Sequence, residues 1–162
     1  MKIGIFVYSE SGITLRAAQE LAEMLVAAGH EPVVENLFEA KTSGKSGARV
    51  EPSYADLRKP SVEGSDAYIF ASAVHAFSLP PAMNAWLKAL PQLGGKKAAC
   101  FVTKSLKPNW TGGNQAIARM RKAIEASGAK VVATGIAHGR AASYDSELRT
   151  LASGIIAAFP LP

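Results

Sequence analysis

Lys2-Ile3-Gly4-Ile5-Phe6-Val7-Tyr8 runs straight into Ser9-Glu10-Ser11-Gly12-Ile13-Thr14, and the chain changes character at the join. The first stretch is a near-continuous apolar run, the pattern of a strand buried on both faces. The second is a turn rich in hydroxyls. From Thr14 onward Ala18, Leu21, Ala22 and Leu25 recur at helical spacing while Arg16, Glu20 and Glu23 face outward, and Gly29 supplies a stop. A helix start offers free backbone N–H groups and a positive dipole end, so the turn before it is a site for a phosphate. The turn lacks the lysine of a nucleotide-hydrolysing phosphate loop. It therefore points to a phosphate ester that is bound rather than cleaved.

The same alternation continues to the end of the chain. Pro32–Leu37, Ala67–Ala71, Lys97–Thr103 and Lys130–Ile136 read as four more strands. Pro81 opens a helix bearing Met83, Leu87 and Leu90 on one face, with Gly94-Gly95 after it. Asn114 to Ser127 is the next helix, its Ile117, Met120 and Ile124 inward and its Arg119, Arg121 and Lys122 largely outward. Ser143 is placed to cap a last helix carrying Leu148, Leu151, Ala152 and Ile155, which Pro160 ends. Strands separated by helical crossovers predict an α/β fold: a doubly wound, five-stranded parallel sheet with helices on both faces, spanning residues 1–162 as a single domain.

One crossover is defective. Residues 39–64 are rich in Gly, Ser, Lys and Pro, and only Tyr54–Arg58 can form about one helical turn. Inside it, Ser43-Gly44-Lys45-Ser46-Gly47 imitates the end of a nucleotide-binding phosphate loop. Glu39 stands where the first glycine is required and no strong strand leads directly into it, so the imitation is discounted.

Composition bounds the function. With 48% hydrophobic and 19% charged residues, the 162-residue chain is long enough to bury its own core. The lone Cys100, inside Ala98-Ala99-Cys100-Phe101-Val102, has no disulfide partner and reads as a small buried hydrophobe. The first apolar run is too short for a signal peptide and no stretch is long enough to span a bilayer, so the expectation is a cytoplasmic protein with no membrane contact. The net charge of +5 is uneven: residues 1–95 carry 8 Lys and Arg against 10 Asp and Glu, and residues 96–162 carry 10 against 3. That basic portion attracts anions such as an acidic partner protein or a phosphorylated cosubstrate. Nothing beyond charge points to nucleic acid, and none is expected. No His, Cys, Asp and Glu residues fall at metal-ligand spacing.

In an open parallel sheet the ligand lies beyond the C-terminal strand ends, at the switch in strand order. Three segments meet that condition: residues 9–14; Ser72-Ala73-Val74-His75-Ala76-Phe77-Ser78-Leu79-Pro80; and Lys104-Ser105-Leu106-Lys107-Pro108-Asn109-Trp110-Thr111-Gly112-Gly113. The last two combine aromatic or imidazole groups with small residues, which suits a flat ring held by backbone hydrogen bonds and stacked side chains.

Together these residues resemble the flavodoxin family over the whole chain except 39–64. The Ser9-x-Ser11-Gly12-x-Thr14 stretch is similar to that family's phosphate loop for flavin mononucleotide (FMN), and the other two to its ring-binding loops. The resemblance implies strand order 2-1-3-4-5 and FMN as cofactor. It implies that Ser9, Ser11 and Thr14, with N–H groups across Ser11, Gly12, Ile13 and Thr14, hold the phosphate. It places the backbone of Ala73, Val74, His75 and Ala76, following Ser72, at the polar edge of the ring. His75 or Phe77 then covers one face and Trp110 the other face or edge. Gly112 and Gly113 allow close approach, while Thr103, Lys104 and Ser105 border the ribityl chain or pyrimidine end. Glu10 does not suit a phosphate site and is expected to point to solvent, giving only backbone contact. Bland roles stand beside these: Phe77 and Trp110 as loop anchors, His75 as a surface residue, Gly112-Gly113 as a helix start. His138 past strand five can border the site or lie on the surface.

Electron-carrier flavodoxins are acidic, and this chain is basic, with Lys104 and Lys107 in a ring loop. The resemblance with that departure implies a less reducing flavin and an acidic redox partner. The leading expectation is electron transfer between partner proteins; the alternative is an FMN-dependent NAD(P)H or quinone reductase. A flavin-free binding module on the same fold is third. A receiver domain is excluded because Tyr8-Ser9 and Ala71-Ser72 stand where it needs acidic residues, and a nicotinamide-binding fold lacks its G-x-G-x-x-G.

Overall fold

A computed structural model describes residues 1–39, 51–105 and 111–162. Strands β1 (Lys2–Tyr8), β2 (Glu31–Asn36), β3 (Ala67–Ala73), β4 (Lys97–Lys104) and β5 (Lys130–His138) form one parallel sheet in the order β2-β1-β3-β4-β5. Helices α1 (Ile13–Ala27), α2 (Pro81–Lys88), α3 (Gly113–Ala126) and α4 (Tyr144–Ala158) cover it. This is the doubly wound arrangement expected from the alternation of elements.

Strand periodicity sorts the core into two layers. Phe6 and Tyr8, Tyr68 and Phe70, and Ala98, Cys100 and Val102 point to one face, where Met83, Trp86 and Leu87 of α2 and Met120 and Ile124 of α3 cover them. Ile3, Ile5 and Val7, Ala67, Ile69 and Ala71, and Ala99 and Phe101 point to the other, beneath Leu21 and Leu25 of α1 and Leu148 and Leu151 of α4. The middle strands are buried on both faces, whereas edge strands β2 and β5 are partly open. Gly135 admits the packing of α4 on β5, since a Cβ there would meet Leu151 Cγ at 2.6 Å. Cys100 is fully buried, as its apolar setting predicts.

The departures are local. Strands β3, β4 and β5 each extend one or two residues beyond the expected ends, because the pairs Ala73↔Thr103 and Lys104↔His138 continue the ladder. The helix from Pro81 stops at Lys88, well before Gly94, and Pro91 prevents its continuation. In the β2–β3 connection the described residues include a single 3₁₀ turn at Tyr54–Asp56, closed by the Ser53–Asp56 capping box. Ser143 sits at the start of α4 but makes no side-chain cap; its hydroxyl donates to Glu147 instead. Among the described residues no helix is long and apolar enough to cross a membrane. The 43–47 stretch lies outside the described residues.

Candidate functional site

The connection from β1 leads outward to β2 and that from β3 leads the opposite way to β4, so a crevice opens between the ends of β1 and β3. The first wall is the 9–14 turn. Gly12 caps α1 with φ +87, a value that an L side chain resists, and its N–H donates to Ser9 Oγ at 3.2 Å. Ser9 is buried while Ser11 and Gly12 are exposed. The turn therefore presents its backbone to solvent at a helix N-terminus, as an anion site requires. Thr14 is buried, with Oγ1 2.7 Å from Thr103 Oγ1. That bond ties the turn to β4, so the Thr14 hydroxyl is shared with a structural partner.

Glu10 overturns its expectation. Its side chain is only 7% exposed, because Oε1 accepts the Tyr8 hydroxyl and lies 3.5 Å from His75 Nδ1. A carboxylate with a donor and an imidazole in reach gains more there than by extending into water. Tyr8 in turn meets the His75 ring edge-on and stacks on Phe38. This link between the first and second loops was not legible in the sequence.

The second wall leaves β3 at Ser72 and Ala73. Val74 N–H donates to the Thr103 carbonyl, and His75 and Ser78 exchange two backbone hydrogen bonds of 2.9 Å each. Between them Ala76 and Phe77 have φ values of +45° and +61°. Two central residues at positive φ mark a type I′ turn, normally built from Asn and Gly. Strain of this kind concentrates at functional sites. Phe77 at the tip is 58% exposed rather than anchored in the core.

The third wall comes from β4. Gly112, φ +106, lies so close to the Phe77 backbone that a Cβ would stand 2.6 Å from its carbonyl oxygen and nearer still to its Cα. Gly113 begins α3, and a Cβ there would lie 3.2 Å from Lys104 Cδ. Lys104 is only 6% exposed, its ammonium donating to the Thr111 hydroxyl. Burial pushes its pKa below the usual lysine range. Val74, Ala76, Phe77, Lys104, Ser105 and Thr111 together line a cleft of about 210 Å³. Trp110 and Lys107 lie outside the described residues.

The end of β5 completes the floor. Gly139 N–H donates to the Lys104 carbonyl, and Gly139 packs on Ile13 without room for a side chain. His138 is buried beside the site, its Nδ1 2.9 Å from Glu147 Oε2. Burial raises the Glu147 pKa, but hydrogen bonds from the His138 backbone, Ser143 and the His138 ring outweigh it and leave a net depression. Extending strand five by two residues would have revealed this position. Among the described residues no cluster of His, Cys, Asp and Glu is placed to hold a metal.

The helix start at Gly12 and the cleft lined by Val74, Phe77, Lys104 and Thr111 lie at the same end of the sheet, beyond the C-terminal ends of β1, β3 and β4. The profile of the NADPH-dependent FMN reductase family matches residues 1–143. The chain belongs to that family. It has the flavodoxin-like fold, and FMN is the cofactor this membership implies. Oxidised Flavodoxin 2 of Bacillus cereus superposes with a TM-score of 0.69 at 18% identity, covering 98% of this chain and 100% of that one. The flavodoxin of Streptococcus pneumoniae TIGR4 gives 0.67 at 16% identity, covering 98% and 100%. The two-electron reduced flavodoxin of Megasphaera elsdenii gives 0.66 at 18%, covering 96% of this chain and 98% of that one. At such identities the likeness is one of fold. No curated protein matches the sequence.

Proposed function

We propose that this chain is an FMN-dependent oxidoreductase that takes electrons from NADPH and passes them to a small acceptor such as a quinone or free flavin. The observation that carries the reading is the family match across residues 1–143, which contains all three site loops. In this reading bound FMN supplies the redox-active ring; the chain's residues bind and orient it. Ser11 and the N–H groups of Ser11, Ile13 and Thr14 would hold the phosphate at the start of α1, with buried Ser9 shaping the turn through the bond it accepts from the Gly12 N–H. The Thr14–Thr103 bond fixes that turn against β4. Of the Ala73–Ala76 backbone, the Val74 and His75 N–H groups are held by Thr103 and Ser78, so the Ala76 N–H is the donor that would reach the ring edge, and Glu10 steadies this loop through His75. Gly112 and Gly113 let the third loop pack directly on the Phe77 backbone and on the Lys104 stem, which fixes the rim of the cleft.

A second reading, electron transfer between proteins, is favoured by one feature. Phe77 stands exposed on the cleft rim, where a protein partner could dock beside any ring held in the cleft. The basic residues 96–162 suit an acidic partner in that case. Steady-state oxidation of NADPH by the FMN-loaded protein, with a quinone as acceptor, separates the two. Turnover supports the reductase; bound FMN without turnover supports the carrier. Protein that leaves added FMN fluorescence unquenched overturns both.

A further inference from the structure

We infer that Gly139, with the His138–Glu147 pair behind it, is a positioning residue for the ligand's phosphate: it sets where the anion turn lies, and so how strongly the chain prefers FMN to riboflavin. The inference deepens the flavin reading above and rests on it. Thr14 ties the turn to β4 through Thr103, and Ile13, the first residue of α1, rests on Gly139 just past the end of β5. A Cβ at Gly139 would run into Ile13 Cγ2. That methyl hangs directly from the Cβ of a β-branched side chain, which has one strongly preferred rotamer in a helix. The clash therefore meets no flexible tip that can swing aside. It displaces Ile13 itself, whose N–H is one of the free donors at the helix start. One helical turn on, the Arg16 guanidinium donates to the Gly139 carbonyl at 3.3 Å, so the same residue meets α1 twice.

Gly139 is itself held in place. Its N–H donates to the Lys104 carbonyl at 3.1 Å, and Ala141 N–H donates back to the His138 carbonyl at 3.0 Å. His138 is gripped by Glu147 of α4, whose carboxylate accepts the His138 backbone N–H at 2.7 Å and lies 2.9 Å from Nδ1. The Ser143 hydroxyl donates to the other carboxylate oxygen at 2.9 Å. The start of α4 thus fixes the loop on which the anion turn sits, and Tyr144 carries the Arg16 guanidinium over its ring at 4.5 Å. Hydrogen bonds from N–H groups to a phosphate weaken steeply as they lose alignment. A shift of Ile13 therefore costs phosphate contacts first. The second and third loops stand on β3 and β4, so contacts they make to an uncharged ring are spared. The Gly139 backbone lies outside the left-handed region, so an alanine there adds the contact with Ile13 without backbone strain.

The test uses the full chain with FMN and riboflavin as paired probes, each titrated by fluorescence quenching. In Gly139→Ala the dissociation constant of FMN rises about tenfold and that of riboflavin less than about twofold. Adding Ile13→Ala to that variant removes the methyl that the new side chain meets, and most of the FMN affinity returns. Recovery through a second substitution is a signature of direct coupling that a general loss of stability does not produce. Glu147→Gln reaches the same loop without adding volume, and it keeps the test open if Gly139→Ala fails to fold. It raises the FMN constant about threefold, with riboflavin again unchanged. An FMN constant unmoved in these variants, or one that rises no more than the riboflavin constant, overturns the positioning role and leaves the flavin reading intact. So does a double variant no better than Gly139→Ala, or wild-type protein that binds both probes alike. Wild-type protein that quenches neither probe overturns the flavin reading and this inference with it.

Discussion

Replacing Gly112 with alanine tests the claim that the second and third loops are built against each other. Two costs follow from the structure. The first is conformational: φ +106 lies in the region L side chains avoid, which costs an alanine about 1–2 kcal/mol. The second is steric: the new Cβ would stand 2.6 Å from the Phe77 carbonyl oxygen, and it would meet backbone, not a side chain that can swing away. Overpacking of that kind costs about 1–3 kcal/mol. The sum, about 2–5 kcal/mol, lowers the Tm of a domain of this size by roughly 4–20 °C. Gly12→Ala is the matched comparison. It carries a similar left-handed φ of +87, but no atom lies within 4 Å of its Cβ, so only the first cost applies. Denaturant unfolding of both flavin-free variants isolates the contact as the difference between them. The Phe77 turn must also shift in Gly112→Ala, and FMN affinity falls with it. Equal destabilisation by the two substitutions would refute the reasoning, since the loops would then separate at no cost.

Three further outcomes are expected. Glu10→Gln keeps an acceptor for Tyr8 but removes a negative charge beside the phosphate turn, a repulsion of ~1 kcal/mol once the Tyr8 and His75 contacts offset part of it. FMN binding should therefore tighten roughly fivefold by fluorescence quenching while riboflavin binding stays unchanged; an equal gain for both would assign the effect to the His75 loop. Glu147 has a depressed pKa in the folded protein, so its stabilising contribution is present above its ordinary value of 4.5 and lost as pH falls through the lower folded value. Glu147→Gln should cost ~1 kcal/mol in urea unfolding at pH 7 and show a smaller cost at pH 4; a constant difference would refute the charge-linked origin. Burial pushes the Cys100 thiol up to about 12. Folded protein should therefore resist thiol reagents at pH 8, with labelling that rises only as denaturant unfolds the chain; rapid labelling without denaturant would contradict its burial.

The fold was legible because its signals are repetitive. Ile3-Gly4-Ile5-Phe6-Val7 and Ala98-Ala99-Cys100-Phe101-Val102 can hardly be anything but strands buried on both faces, and α1 and α3 declare their faces through i, i+3, i+4 spacing. The three loops were legible for a related reason: once the strands are placed, their C-terminal ends name the crevice. What lay beyond reach were bonds between loops distant in sequence. Thr14 and Thr103 are 89 residues apart, and nothing local to either marks the other as its partner. The Ala76-Phe77 turn hid for the opposite reason. Its conformation calls for Asn or Gly, and the chain places neither there, so turn chemistry misleads where tertiary packing on Gly112 decides.

Glu10 and Lys104 show how that gap bears on function. Judged by sequence position, each is a charged loop residue that solvent should screen. The structure buries both, and burial is what gives a single charge influence over a ligand. The two sit apart, Glu10 in the turn proposed to receive a phosphate and Lys104 at the end of β4, in the cleft proposed to receive a ring. Glu10 disfavours a ligand's fixed negative charge, with Tyr8 and His75 blunting that effect. Net charge cannot express such a local effect, because +5 summed over the chain counts buried and screened groups alike. Glu10→Gln should consequently alter the preference for FMN over riboflavin, whereas Glu125→Gln, which removes the same charge from the exposed face of α3, should leave that preference unchanged. Equal shifts in both variants would mean that summed charge, not the placement of Glu10, governs binding.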